Sequence, residues 1–188
     1  IFVRELGKLI DFYTYNPDIK LCTMLDFDLR LVFSNLNKKL RFCGAGEMTK
    51  CYDINGNEYP CQGFAPVAIG KDADSFMNYD VTKFNITDEN PCFKCKFFFL
   101  CANCYSANLV TTGCCHLVDI NLCYSYRLCI LASAKIQFRR IKNKGAELTE
   151  DDKLILKAIS VIQEEIANSK SRLSGVIGHV CDQQKRCK

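Results

Sequence analysis

The chain has 188 residues, 48% of them hydrophobic, enough to bury a core and too few for several independent domains. Its formal charge of +4 comes from 25 basic and 21 acidic residues with no run of like charge, which argues against a nucleic-acid-binding arm and names no charged partner. No stretch approaches the about 18 uncharged apolar residues of a membrane span, since even 122–138 carries Arg127 and Lys135.

Phe2, Leu6, Leu9, Ile10 and Tyr13 recur at helical spacing and Asn16-Pro17 breaks the pattern, which predicts an amphipathic helix over 2–15. Charged residues interrupt this segment, so it does not read as a secretory signal, and the expected location is the cytoplasm. The run 21–36 alternates Leu25, Phe27, Leu29, Leu31 and Phe33 like a strand, but its length favours a helix. Asn55-Gly56 between two short β-prone arms predicts a hairpin within 49–61. Residues 64–91, with Pro66, Gly70, several Asp and Asn90-Pro91, read as a long connection holding at most short structured pieces.

Past Leu122 a helix is expected to about Ile141. A last helix follows Thr149, a plausible N-cap with acidic residues in its first turn, and carries the stripe Ile155, Ile159, Ile162 and Ile166, with Gly175 as the expected stop. No internal repeat is visible.

Fourteen cysteines fit either a secreted disulfide framework or a metal-binding intracellular protein. Cys92, Cys95, Cys101 and Cys104 form Cys-x2-Cys-x5-Cys-x2-Cys, a spacing in which thiolates of one tight turn reach a single metal centre. Zinc is an alternative, although the five-residue interval is shorter than the loop of about 15 to 20 residues in common zinc ribbons. The bacterial ferredoxin run Cys-x2-Cys-x2-Cys-x3-Cys-Pro does not fit CFKCKFFFLCANCYS. Disulfides remain a third reading, with Cys114, Cys115, Cys181 and Cys187 as candidates.

Cys43, twelve residues, Gly56, four residues and Cys61, followed by the run from Cys92 to Cys123, resemble the SPASM motif of radical S-adenosylmethionine peptide-modifying enzymes, with two residues instead of three between Cys101 and Cys104. The resemblance implies an α+β fold in which a small β-hairpin cluster-binding module is flanked by helices. It divides the chain into a helical lead-in over 1–42, a two-cluster domain over 43–130 and a C-terminal helical region over 131–188. It also implies two auxiliary [4Fe-4S] clusters, the first on Cys43, Cys51, Cys61 and Cys104, the second on Cys92, Cys95, Cys101 and Cys123. Their role would be electron transfer and substrate placement for modification of a peptide or protein substrate. Two cubanes, each of charge about 2− with four thiolates, would cancel the +4 of the chain.

No two cysteines here are separated by three residues, so the Cys-x3-Cys-x2-Cys loop that holds the cofactor-cleaving cluster is missing from this sequence. The expectation is a part that is not catalytic alone and works with a radical S-adenosylmethionine domain in cis or in trans, which would carry S-adenosylmethionine and a third cluster. Sulfatase-maturating relatives have an acidic residue after the cysteine matching Cys61; Gln62 stands here and cannot act as a base at neutral pH. The resemblance thus points towards peptide cross-linking or another peptide modification.

Cys51 reads as a ligand in preference to a small buried hydrophobe, and Cys115 is the substitute ligand. Cys22, Cys114, Cys129, Cys181 and Cys187 read as free thiols. Gly44 and Gly46 read either as turn residues or as N–H donors to a cluster, and Phe93, Phe97, Phe98, Phe99 and Tyr105 as apolar shielding. The competing function is a zinc-stabilised structural or interaction module without redox activity.

Overall fold

A computed structural model describes residues 1–34, 41–145 and 147–184, with side chains to residue 168. The chain is rich in helix and carries one small antiparallel sheet. Its elements in order are α1 (Phe2–Tyr15), β1 (Cys51–Tyr52), β2 (Glu58–Tyr59), α2 (Pro66–Ile69), α3 (Tyr105–Thr112), α4 (Ile120–Asn143) and α5 (Glu150–Gln184), joined by short 3-10 turns. They divide into two compact units: one of Ile1–Asn35, Cys95–Cys101 and Asn121–Val176, the other of Leu36–Lys94, Ala102–Ile120 and Ile177–Lys188.

The first unit is helical. α1 buries Leu6 and Tyr13 against Cys129, Ala132 and Ile136 of α4 and against Leu25. Its C-terminal carbonyls are capped from α4, where the Arg140 guanidinium donates to Tyr13 O at 2.9 Å and to Asn16 O at 3.2 Å. A second cluster joins Phe97 and Leu100 to Ile130 and Ala134 of α4 and to Ala158, Ile159 and Ile162 of α5. The isoleucine stripe predicted for α5 thus faces the core. Among the described residues no helix is long and apolar enough to cross a membrane.

Residues 21–34 form no α-helix, in contrast to the expectation; turns lead to a 3-10 helix at Leu29–Phe33, and residues 35–36 of the expected helix lie outside the described residues. The Asp28 carboxylate accepts the Arg30 N–H at 3.2 Å and its guanidinium at 2.7 Å. An Asp that captures the backbone two residues on starts a turn in place of a helix. α5 runs on past Gly175, the expected stop. A glycine inside a helix costs only about 1 kcal/mol relative to alanine, which flanking turns can absorb.

α5 begins with a reciprocal cap: Thr149 Oγ1 accepts the Asp152 N–H at 3.1 Å, and the Asp152 carboxylate accepts the Thr149 N–H at 3.1 Å. Lys144 Nζ adds an ion pair to Asp152 at 2.8 Å.

The second unit holds little regular structure. Its hairpin pairs Cys51 with Tyr59 and Tyr52 with Glu58, and Gly56 takes the positive φ of 82° that the expected Asn-Gly turn requires. An aromatic stack replaces a sheet core: Phe64 lies on Phe76 and Phe84, and Phe84 stacks on Tyr105 with ring centroids 4.5 Å apart. The Tyr105 hydroxyl donates to Phe84 O at 2.5 Å and accepts the Phe42 N–H at 2.9 Å.

Lys144 and Thr149 hold the Asp152 carboxyl down to about 2 in the fold. Because this value is below that of an unfolded aspartate, the cap is at full strength above about pH 4 and fades as pH falls towards about 2. Acid titration of stability by circular dichroism is expected to show a smaller loss between those limits in Asp152→Asn than in the parent, and equal losses would refute the cap. Tyr105→Phe strands the Phe42 N–H and the Phe84 carbonyl, and a loss of about 1–3 kcal/mol is expected in urea unfolding.

Candidate metal centre

Cys61 is the N-cap of the 3-10 turn Gln62–Phe64. Burial pushes its thiol above the usual value, and the charges of Cys104 and Cys43 push the same way, while the backbone N–H groups of Gly63 and Phe64 act against them. Cys61 therefore stands within reach of the charges of Cys43 and of Cys104, which come from two other stretches of the second unit. The Phe64 N–H donates to Cys61 O at 3.0 Å, and the Cys61 side chain accepts no capping hydrogen bond.

Local structure explains this convergence. The turn after Cys43 is closed by Gly44 O, which accepts the Met48 N–H at 2.8 Å, and the Gly46 N–H donates to Pro60 O at 2.7 Å, next to Cys61. Gly46 adopts a φ of 80°, and a Cβ there would lie 2.1 Å from Val81 Cγ1. Its N–H is spent on Thr49 O and Pro60 O, so of its two sequence readings the turn residue is the one observed. Gly63 is equally constrained: a Cβ would meet Ser106 Oγ at 2.2 Å and Cys61 Sγ at 3.6 Å. Ser106 Oγ lies 3.2 Å from Cys104 Sγ, and Cys104 is the N-cap residue of α3.

Cys51 sits on β1 opposite Tyr59, with its thiol 3.9 Å from Tyr52 O. Cys115 is buried, and burial followed by the charge of Cys104 pushes its thiol up to about 11. Its carbonyl accepts from Asn108 Nδ2 on α3 at 2.9 Å.

The second expected set is divided by the fold. Cys95, Cys101 and Cys123 belong to the first unit and Cys92 to the second, where the Cys92 N–H is held by Asn90 Oδ1 at 2.9 Å. Cys95 is raised by burial and feels the charge of Cys123 on α4; the Phe97 N–H and the Arg127 guanidinium favour its thiolate. Phe97 and Phe98 are buried and Phe93 and Phe99 half-buried, and Arg127 lies 5.4 Å from the Phe97 ring centroid.

Among the described residues no three His, Cys, Asp or Glu side chains stand close enough together to hold a metal ion as they are placed. Buried donors without a partner do occur beside the cysteines: Asn103 Nδ2, next to Cys104, and Arg127 Nη1, four residues after Cys123. Such orphans carry a cost unless an acceptor meets them, and cluster sulfides and thiolates accept hydrogen bonds. As placed, Cys43, Cys61 and Cys104 form no metal site among the described residues.

Asn103, Ser106 and Arg127 were not singled out from sequence; the Cys123-to-Arg127 step of four residues, one helical turn, was the available signal. Cys114 is disulfide-bonded, not the free thiol expected, and its carbonyl and N–H are both engaged by Thr112 Oγ1. Cys181 and Cys187 lie outside the described side chains. Comparison with family models, with curated proteins and with solved structures found no match to the chain.

Gly63→Ala is expected to displace Ser106 and the Cys61 turn, lowering stability by about 1–3 kcal/mol in urea unfolding. Unchanged stability would show that the Gly63–Ser106 approach is not a constraint.

Proposed function

We propose that this protein binds two auxiliary [4Fe-4S] clusters in the cytoplasm and serves a radical S-adenosylmethionine-dependent modification of a peptide or protein. The observation that carries the reading is that Cys61 lies within reach of the charges of both Cys43 and Cys104 in one unit. In this reading those three cysteines and Cys51 hold the first cluster, and Cys92, Cys95, Cys101 and Cys123 hold the second. Bound clusters of this kind supply one-electron transfer and, where an iron lacks a protein ligand, a site for a substrate atom.

The chain's own groups have distinct parts in that role. The Gly63 and Phe64 N–H groups and the Arg127 guanidinium favour thiolates over thiols, which would raise the affinity for a cluster. Phe97 and Phe98 keep water from the Cys95 side. A radical S-adenosylmethionine domain, in the same or another chain, would supply the cofactor-cleaving chemistry that this sequence lacks.

Reconstitution under anaerobic conditions with iron and sulfide, followed by metal analysis and visible spectroscopy, tests the reading. About eight irons per chain are expected, falling to about four in Cys61→Ala and in Cys95→Ala. Stoichiometric zinc without iron would replace this function with the structural zinc module.

A further inference from the structure

The first unit contains a groove unconnected with the cysteines. It encloses about 700 Å³ and is walled by Leu6 and Ile10 of α1, Leu128 and Leu131 of α4 and Ile159 of α5. The wall has a gap at Gly7, where a Cβ would meet no atom within 4 Å. Along one side runs a row of cations from α4, namely Lys135, Arg139 and Lys142, and among the described residues no acidic side chain lines the groove.

The spacing of these cations selects the occupant. Steps of four and three residues place them on one face of α4, and the seven steps from Lys135 to Lys142 span about 10 Å at about 1.5 Å per residue. Arg139 is matched by Asp11 at 2.7 Å, whereas Lys135 and Lys142 have no ion-pair partner among the described residues. A fatty acid offers one carboxylate and satisfies one such charge. A helix laid along the groove offers carboxylates at the same three- and four-residue steps, with apolar side chains directed at the walls.

We propose that this groove docks an amphipathic helical peptide segment that carries an acidic edge. The apolar anchors of the segment enter between α1 and α4, and its carboxylates pair with Lys135 and Lys142. The proposal does not depend on the clusters, and a protein without iron would bind equally.

The test uses the full chain and a fluorescein-labelled synthetic peptide of about 14 residues, with leucines at helical spacing and glutamates along one flank. Fluorescence anisotropy is expected to show saturable binding that weakens with salt. Replacing the peptide glutamates by glutamine is expected to weaken it about tenfold, as is the double substitution Lys135→Glu with Lys142→Glu. Gly7→Leu fills the gap with a better helix former and is expected to abolish binding while its circular dichroism spectrum stays unchanged. Equal binding of the glutamine peptide, or equal binding by the charge-reversed protein, overturns the proposal. So does binding of phosphatidylglycerol vesicles or of a fatty acid in place of the peptide, or no binding at all.

Discussion

Tyr105 carries the constraint on which the second unit depends. Strands of two residues each cannot satisfy the backbone of a unit this size, so buried N–H and C=O groups must find side chains. The Tyr105 hydroxyl serves two at once, bridging Phe42, next to Cys43, to Phe84, while its own position follows Cys104. Asn90 and Asn108 act similarly, donating to the carbonyls of His116 and Cys115. The cysteine-bearing loops are therefore held by point contacts around an aromatic stack, a framework in which a single lost hydroxyl frees a whole loop.

The same burial sets a conflict at the sulfurs. Taken out of water, the thiols of Cys61, Cys95 and Cys115 favour the protonated form, and neighbouring cysteine charges add to that preference. Against it stand the N–H groups of Gly63, Phe64 and Phe97 and the guanidinium of Arg127, all of which favour thiolate. In the proposed function a metal would resolve the conflict by replacing the protons with a cation, so that loading and proton release would be one event.

The elements read well from sequence are those where local chemistry and packing agree. α1 and α4 follow their apolar periodicity, the hairpin follows Asn55-Gly56, and α5 starts at the cap that Thr149 announced. α3 was not foreseen, because Val110, Thr111 and Thr112 are poor helix formers. It forms because Tyr105, Ser106 and Asn108 are buried on one face and because the Thr112 hydroxyl bonds back to Asn108 O at 2.7 Å. In 21–34 the apolar alternation was real, but it recorded burial of Leu25, Leu29 and Val32 along an irregular path set by Asp28.

By itself the sequence determined which thiols are spaced for shared coordination, where the hairpin turns and which helices are amphipathic, since these depend on residues close in the chain. Tertiary structure alone decided that Cys61 comes within reach of the charges of Cys43 and Cys104, that Cys92 joins a different compact unit from Cys95, and that the Arg127 charge acts on Cys95. It also decided that α1 and α4 leave a cation-edged groove. These outcomes rest on contacts between residues far apart in the chain, where the closure of long loops and the packing of side chains choose among arrangements that local pattern leaves equal.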